Sequence, residues 1–182
     1  MAEFKDSMIR YALLSGYDYL FLIDSDLVLH PETLLHLLSL GKDIVCEIFW
    51  TKWQPGSPEL PQVWLRDQYT LYHSARGENL SKEEIYARTM AFLEQLKVPG
   101  VYEVGGLGAC TLISRRAMES GVCFKEIPNV SFWGEDRHFC IRAAALGFKL
   151  YVDTNFPAYH IYRDEDLIKL RGLIPPPSGS NM

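Results

Sequence analysis

A chain of 182 residues, 48% of them hydrophobic, can bury one substantial core and is too short for two independent ones. Its net charge of -5 comes without any clustered run of Lys and Arg, which excludes a surface for phosphate backbones and so a nucleic-acid partner. No apolar run approaches the roughly 20 residues needed to span a membrane, and the charged start MAEFKDSMIR lacks the apolar stretch of a secretion signal. A cytoplasmic protein is expected, and Cys46, Cys110, Cys123 and Cys140, which form no CxxC pair, read as buried free thiols.

Residues 2–14 carry Phe4, Met8, Tyr11 and Ala12 at helical spacing, and Gly16 follows as a left-handed cap, so the chain opens on an amphipathic helix. Residues 17–23, YDYLFLI, are too continuously apolar for a strand with one wet face, which predicts a strand covered on both faces. That strand ends in Asp24-Ser25-Asp26. HPETLLHLLSLG then places Pro31 near a first helical position, Leu34, Leu37, Leu38 and Leu40 along the helix, and Gly41 at its end. A second strand is expected over 43–49.

TKWQPGSPELPQVWL, with three prolines and two tryptophans, suits neither a helix nor a central strand and reads as a loop forming one wall of a site. Ser81 and Glu84 form a capping box for a helix that stops before Pro99. VYEVGGLGACTLIS is extended chain interrupted by glycines, and RRAMES a short helix. FWGEDRHFCIRAAALG predicts a helix opened by Gly134 and closed by Gly147, FKLYVD a further strand, and RDEDLIKLR a last helix. The alternation predicts an α/β sheet in one domain over 1–172, with 173–182 as a disordered tail.

Asp24 and Asp26 fall at the carboxyl end of an apolar strand, where open α/β sheets bind ligands. A solvated turn also explains a lone Asp-X-Asp, but Mg²⁺ or Mn²⁺ is typically held by one or two carboxylates together with substrate phosphates. Trp133-Gly134-Glu135-Asp136 sets two acids in the first turn of a helix, where the dipole lowers their pKa values. Capping alone would account for such acids. The preceding Trp133 offers a face to a sugar ring, Gly134 admits a substrate to the backbone, and a carboxylate there could take a proton from an acceptor hydroxyl. His160, after a strand over 149–153, is a third metal ligand only in the company of the other two motifs, and otherwise a satisfied core or surface histidine. Trp50, Trp53 and Trp64 read as packing residues rather than site residues.

In the order strand-Asp-X-Asp, then GGLGACTLISRRAM, then WGED opening a helix that ends ALGFKLYVD, the chain resembles the GT-A glycosyltransferases, family 2 in particular, over residues 2–162. The resemblance implies a GT-A-like mixed sheet flanked by helices and a metal-dependent transfer of a sugar from a nucleotide-diphosphate donor to a carbohydrate or other acceptor hydroxyl. It gives Asp24 and Asp26 a divalent cation, Mn²⁺ or Mg²⁺, on the nucleotide-sugar donor, with His160 completing the metal site. Gly105 and Gly106, with Leu107, Gly108 and Ala109, resemble the segment lining the sugar and acceptor region, and Asp136 matches the catalytic base with Glu135 beside it. An inverting reaction is implied, and a non-processive one, since no Gln-X-X-Arg-Trp segment is present. The strand-helix-strand unit that binds base and ribose has no counterpart before Asp24, so a partial fold is expected, completed by a missing segment or another chain. Two rival readings are a non-catalytic carbohydrate- or nucleotide-sugar-binding remnant and a metal-dependent phosphohydrolase or nucleotidyltransferase.

Overall fold

A computed structural model describes residues 1–173, with side chains to Lys169. The chain opens with helix α1 (Ala2–Leu14), strands β1 (Tyr19–Leu22) and β2 (Leu27–Val28), helix α2 (Thr33–Ser39) and strands β3 (Ile44–Thr51) and β4 (Leu60–Pro61). Helix α3 (Lys82–Leu96), strands β5 (Val101–Val104) and β6 (Thr111–Ser114), and helices α4 (Arg115–Glu119) and α5 (Glu135–Ala145) follow. Strand β7 (Leu150–His160) and helix α6 (Asp164–Leu173) complete it. Of the tail expected over 173–182, Leu173 ends α6 and the rest lies outside the described residues.

The fold is mixed α/β: a seven-stranded sheet in the order β1-β6-β3-β7-β2, with β4 added to β3 and β5 to β7. Only β3 and β7 pair in parallel, and the other pairs are antiparallel. The continuous apolar run of β3 follows from cover on both faces. Ile44, Cys46 and Ile48 enter the main core with Trp64, Phe92 and Phe139, while Val45 meets Leu37 of α2 on the opposite face. Among the described residues no helix is long and apolar enough to cross a membrane.

Local signals place the helix ends well. Ser81 Oγ accepts from Glu84 N at 3.2 Å while Glu84 Oε2 accepts from Ser81 N at 2.8 Å, so the capping box forms as expected. Cys46, Cys110 and Cys140 are buried thiols, and Cys123 is half-buried.

Three expectations need correction. The strand over 17–23 is not covered on both faces: β1 forms an edge of the sheet, only Leu22 is buried, and Tyr17, Tyr19 and Ile23 are exposed. With Met8 and Tyr11 of α1, Tyr17, Tyr19 and Phe21 line an open apolar groove of about 530 Å³. The inward face of α1 is also displaced by one residue. Lys5, Ile9 and Ala12 are buried, whereas Phe4 and Tyr11 are 64% and 66% exposed. Ranking side chains by apolarity cannot anticipate this, because Lys5 turns inward to meet carboxylates 130 residues away in sequence or more. Third, the strand expected to end at Asp153 continues to His160: an irregularity between Glu47 and Phe49 lets β7 pass Pro157 and resume pairing at Ala158.

Between α2 and the sheet, Glu47 of β3 stands opposite Asp153 of β7, and both are fully buried. Asp153 accepts from Asn155 Nδ2 at 2.6 Å and lies 3.1 Å from His36 Nε2. Burial first, and the Asp153 charge second, push the Glu47 carboxyl up to about 9. A second tight contact joins the loop before α3 to the sheet. The Trp64 indole covers Gly106, where an added Cβ would stand 1.9 Å from Trp64 Cε2.

Glu47 keeps in the folded chain a proton that the unfolded chain gives up above the ordinary value of 4.5, so its contribution to stability falls as pH rises from there towards about 9. Glu47→Gln should remove up to about 1.4 kcal/mol of that loss per pH unit, read as a smaller difference in urea midpoint between about pH 6 and pH 8 than in the parent. Gly106→Ala should cost about 1–3 kcal/mol by denaturant unfolding because the indole must move. Gly108→Ala, whose added Cβ would meet Gln62 at an ordinary 3.6 Å, should cost far less.

Candidate functional site

At the end of β1 a cleft of about 620 Å³ opens beside the end of β7, and it gathers side chains from five separated stretches of chain. Asp24 and Asp26 enter from the turn after β1, His160 from the end of β7, and Trp133 and Asp136 from the opening of α5. The loop over 53–64 forms the facing wall, as its composition predicts, and Gly108 and Ala109 form the floor.

On one side His160 Nε2 lies 3.3 Å from Asp26 Oδ2, and its Nδ1 lies 2.8 Å from Thr51 Oγ1 at the end of β3. The His160 side chain is almost buried, packed edge-on against Phe49. The backbone secures the turn, with Ile161 N donating to Asp26 O at 2.8 Å. The Asp26 side chain is half exposed, but its Oδ1 is shut off from solvent and has no hydrogen-bond partner among the described residues, a costly arrangement for a carboxylate oxygen. Asp24 lines the same cleft but makes no recorded ion pair with a Lys or Arg among the described residues. No three His, Cys, Asp or Glu side chains among the described residues converge into an all-protein metal cage.

On the other side Gly134, at φ +95, turns the chain into α5 and leaves Glu135 and Asp136 in the first turn. Lys5 Nζ donates to Asp136 Oδ1 at 2.8 Å and pairs with Glu135 Oε1 at 3.1 Å. The expectation that the helix start lowers both acids holds for Glu135 only. Burial opposes ionisation of Glu135, but its own backbone amide and Lys5 bring it below the ordinary value. For Asp136 burial outweighs Lys5 and leaves the carboxyl above the ordinary value. Asp136 lines the cleft, whereas Glu135 does not.

Aromatic side chains complete the walls. Trp133 is 55% exposed, and its carbonyl accepts from the Tyr69 hydroxyl at 2.7 Å. Tyr69 packs on Trp64 with ring centroids 4.2 Å apart, and Trp53 meets Tyr162 edge-on at 5.4 Å. The buried Arg137 guanidinium donates from Nε to Asp67 Oδ1 at 2.6 Å, tying the loop that carries Tyr69 to the start of α5. Gln68 and Tyr69 both hold positive φ in that loop, an uncommon conformation for residues with a Cβ.

The structure thus brings Asp24, Asp26, Trp133, Asp136 and His160 to one cleft. It gives Gly105 and Gly106 a packing role instead, under Leu65 and Trp64, and puts Gly108 and Ala109 against the cleft. Gly134 shapes the turn without lining the cavity. Sequence reasoning missed Lys5, Trp53, Tyr69 and Tyr162 as members of the site. Lys5 leaves a trace, a charge on the same helical face as Ile9 and Ala12, but the aromatic residues sit in irregular segments with no periodicity to read.

No family model and no curated protein matches this chain. Among solved structures it is similar to the crystal structure of A197 from STIV, at 20% identity and a TM-score of 0.52, over 89% of this chain and 68% of that one. At that identity the likeness concerns the fold alone, and it agrees with a mixed α/β architecture spanning nearly the whole chain.

Proposed function

We propose that the chain is the metal- and acceptor-binding part of a GT-A-type, family 2-like glycosyltransferase, moving a sugar from a nucleotide-diphosphate donor to an acceptor hydroxyl with inversion. The observation that carries this reading is the single cleft with Asp24, Asp26 and His160 on one side, Asp136 on the other, and aromatic faces between them. Carboxylates and one imidazole suit Mn²⁺ or Mg²⁺, and the partnerless Asp26 Oδ1 beside His160 is the kind of oxygen such an ion relieves. Because the three side chains do not converge into a cage by themselves, Asp26 and Nε2 of His160 would hold the ion together with donor phosphates, with Asp24 in the same cleft as a further carboxylate. The ion when bound would neutralise charge on a departing diphosphate. Thr51 Oγ1, accepting from Nδ1, would fix the imidazole with its Nε2 lone pair towards that ion.

Asp136 acts as the base. Lys5 occupies its Oδ1, and Oδ2 faces the floor at Gly108, 3.7 Å from where a Cβ there would stand. A carboxyl raised by burial accepts a proton more readily than a solvated one, which suits deprotonation of an attacking hydroxyl. Trp133, Trp53 and Tyr162 offer ring faces to a sugar, with apolar CH groups packed on aromatic rings and hydroxyls left to polar neighbours.

Calorimetry of UDP and GDP binding should show affinity only with Mn²⁺ present, and that affinity should vanish in Asp24→Ala/Asp26→Ala. Binding that ignores the metal would count against the site. Asp136→Asn should slow transfer about 10²- to 10⁴-fold, roughly 3–5 kcal/mol in activation free energy, with donor binding intact. Donor binding with no turnover in the parent would favour the non-catalytic carbohydrate- or nucleotide-sugar-binding module.

A further inference from the structure

The structure assigns a role to Lys5, resting on the transferase reading above. We propose that Lys5 is a positioning residue: its ammonium holds Asp136 Oδ1 and Glu135 Oε1, leaves Asp136 Oδ2 free to take the acceptor proton, and keeps a cation off this acid pair.

Removing an ammonium from water costs several kcal/mol, so a lysine buried on the inner face of a helix must be compensated by what it meets. Lys5 has a side chain only 10% exposed, and it meets two carboxylates, at 2.8 and 3.1 Å, and the Phe124 ring at 4.9 Å from its Nζ. Burial opposes its charge, yet Asp136 and Glu135 outweigh burial, and Lys5 stays protonated at neutral pH. Its placement is held independently of the acids, since Asp6 Oδ1 accepts from Phe124 N at 2.6 Å and pins the next residue of α1.

What separates this pair from an ordinary structural salt bridge is where it lies. Lys5, Asp24 and Asp136 line one small pocket adjoining the cleft, so three carboxylates, Asp24, Asp26 and Asp136, line the two cavities, while Glu135 meets Lys5 from outside them. Lys5 divides these acids. Glu135 and Asp136 are neutralised by the chain's own ammonium, whereas among the described residues Asp26 pairs with His160 alone. A divalent ion is thereby directed to Asp24 and Asp26, and Asp136 is spared coordination that would tie up its Oδ2. Holding one oxygen of a carboxylate also removes rotation about its last bond, the kind of orientation on which proton transfer depends.

The test uses the whole chain as parent, Lys5→Met and Lys5→Arg, with two readouts. Bound Mn²⁺ is counted by electron paramagnetic resonance, and turnover is measured with UDP-glucose and GDP-mannose as donors and methyl glucoside as acceptor. Lys5→Met keeps the aliphatic stem, so it should stay folded, take up about one further Mn²⁺ per chain, and lose about 100-fold in kcat while acceptor KM moves less than about threefold. Lys5→Arg should restore the parental Mn²⁺ count and part of kcat. A Lys5→Met chain with kcat within about twofold of the parent, or a loss confined to KM, would overturn the proposal. Should Lys5→Met not fold, Lys5→Gln is held to the same two readouts. If the parent turns over neither donor, the transferase reading fails on its own account, and an unchanged Mn²⁺ count in Lys5→Met would overturn the division of the acids as well.

Discussion

The parallel pairing of β3 and β7 is the constraint from which the rest of the molecule is built. Strand β3, and β7 over residues 150–154, are largely enclosed, so their backbone groups must be satisfied within the sheet and their register there admits no slip. That register sets Glu47 against Asp153 inside the fold and brings Thr51 within 2.8 Å of His160 at the far end. The irregularity between Glu47 and Phe49 lets β7 run on past Pro157, and only because it runs on does His160 reach Asp26. The same extension pairs Leu27 with His160, which closes the turn bearing the two aspartates.

Charge is distributed over the cleft with a logic that each residue alone does not show. Asp136 shares the cleft with Asp24 and Asp26 and neighbours Glu135 in sequence, and the structure offsets Glu135 and Asp136 with a buried lysine drawn from α1. Glu135, with Lys5 and a backbone amide, sits low, while Asp136, where desolvation outweighs Lys5, is held high. Two neighbouring carboxyls pushed in opposite directions can divide their tasks, one as a charge partner and one as a proton acceptor. Arg137 and Tyr69 hold the opposite wall by bonding the loop over 66–70 to the start of α5, so the helix start that carries Asp136 is tied to the aromatic wall.

The edge of the sheet at β1 obeys a different requirement. An exposed strand with aromatic neighbours and unpaired backbone groups is a surface that proteins ordinarily cover or blunt with charge. Here Tyr17, Tyr19 and Tyr11 leave it apolar and open. Because β1 itself leads into the turn that bears Asp24 and Asp26, anything pairing along its edge would lie next to the acidic wall of the cleft.

Much of the local structure was legible in the residues themselves. The capping box at Ser81, the glycines bounding α5 and the apolar run of β3 rest on signals a few residues long, because turn chemistry, caps and periodicity act between close neighbours in sequence. That Asp24, Asp26, Trp133, Asp136 and His160 share one cleft was expected only from the family resemblance, and it is the tertiary structure that brings them together. The helix at the start of the chain shows where such signals stop. Its existence is local, but which face turns inward depended on carboxylates carried by α5, so Lys5 went in and Phe4 and Tyr11 stayed out. Edge or centre for β1, the length of β7, the packing role of Gly106 under Trp64 and the raised Asp136 carboxyl were likewise decided only in the tertiary structure, because each depends on desolvation and contact by residues distant in the chain.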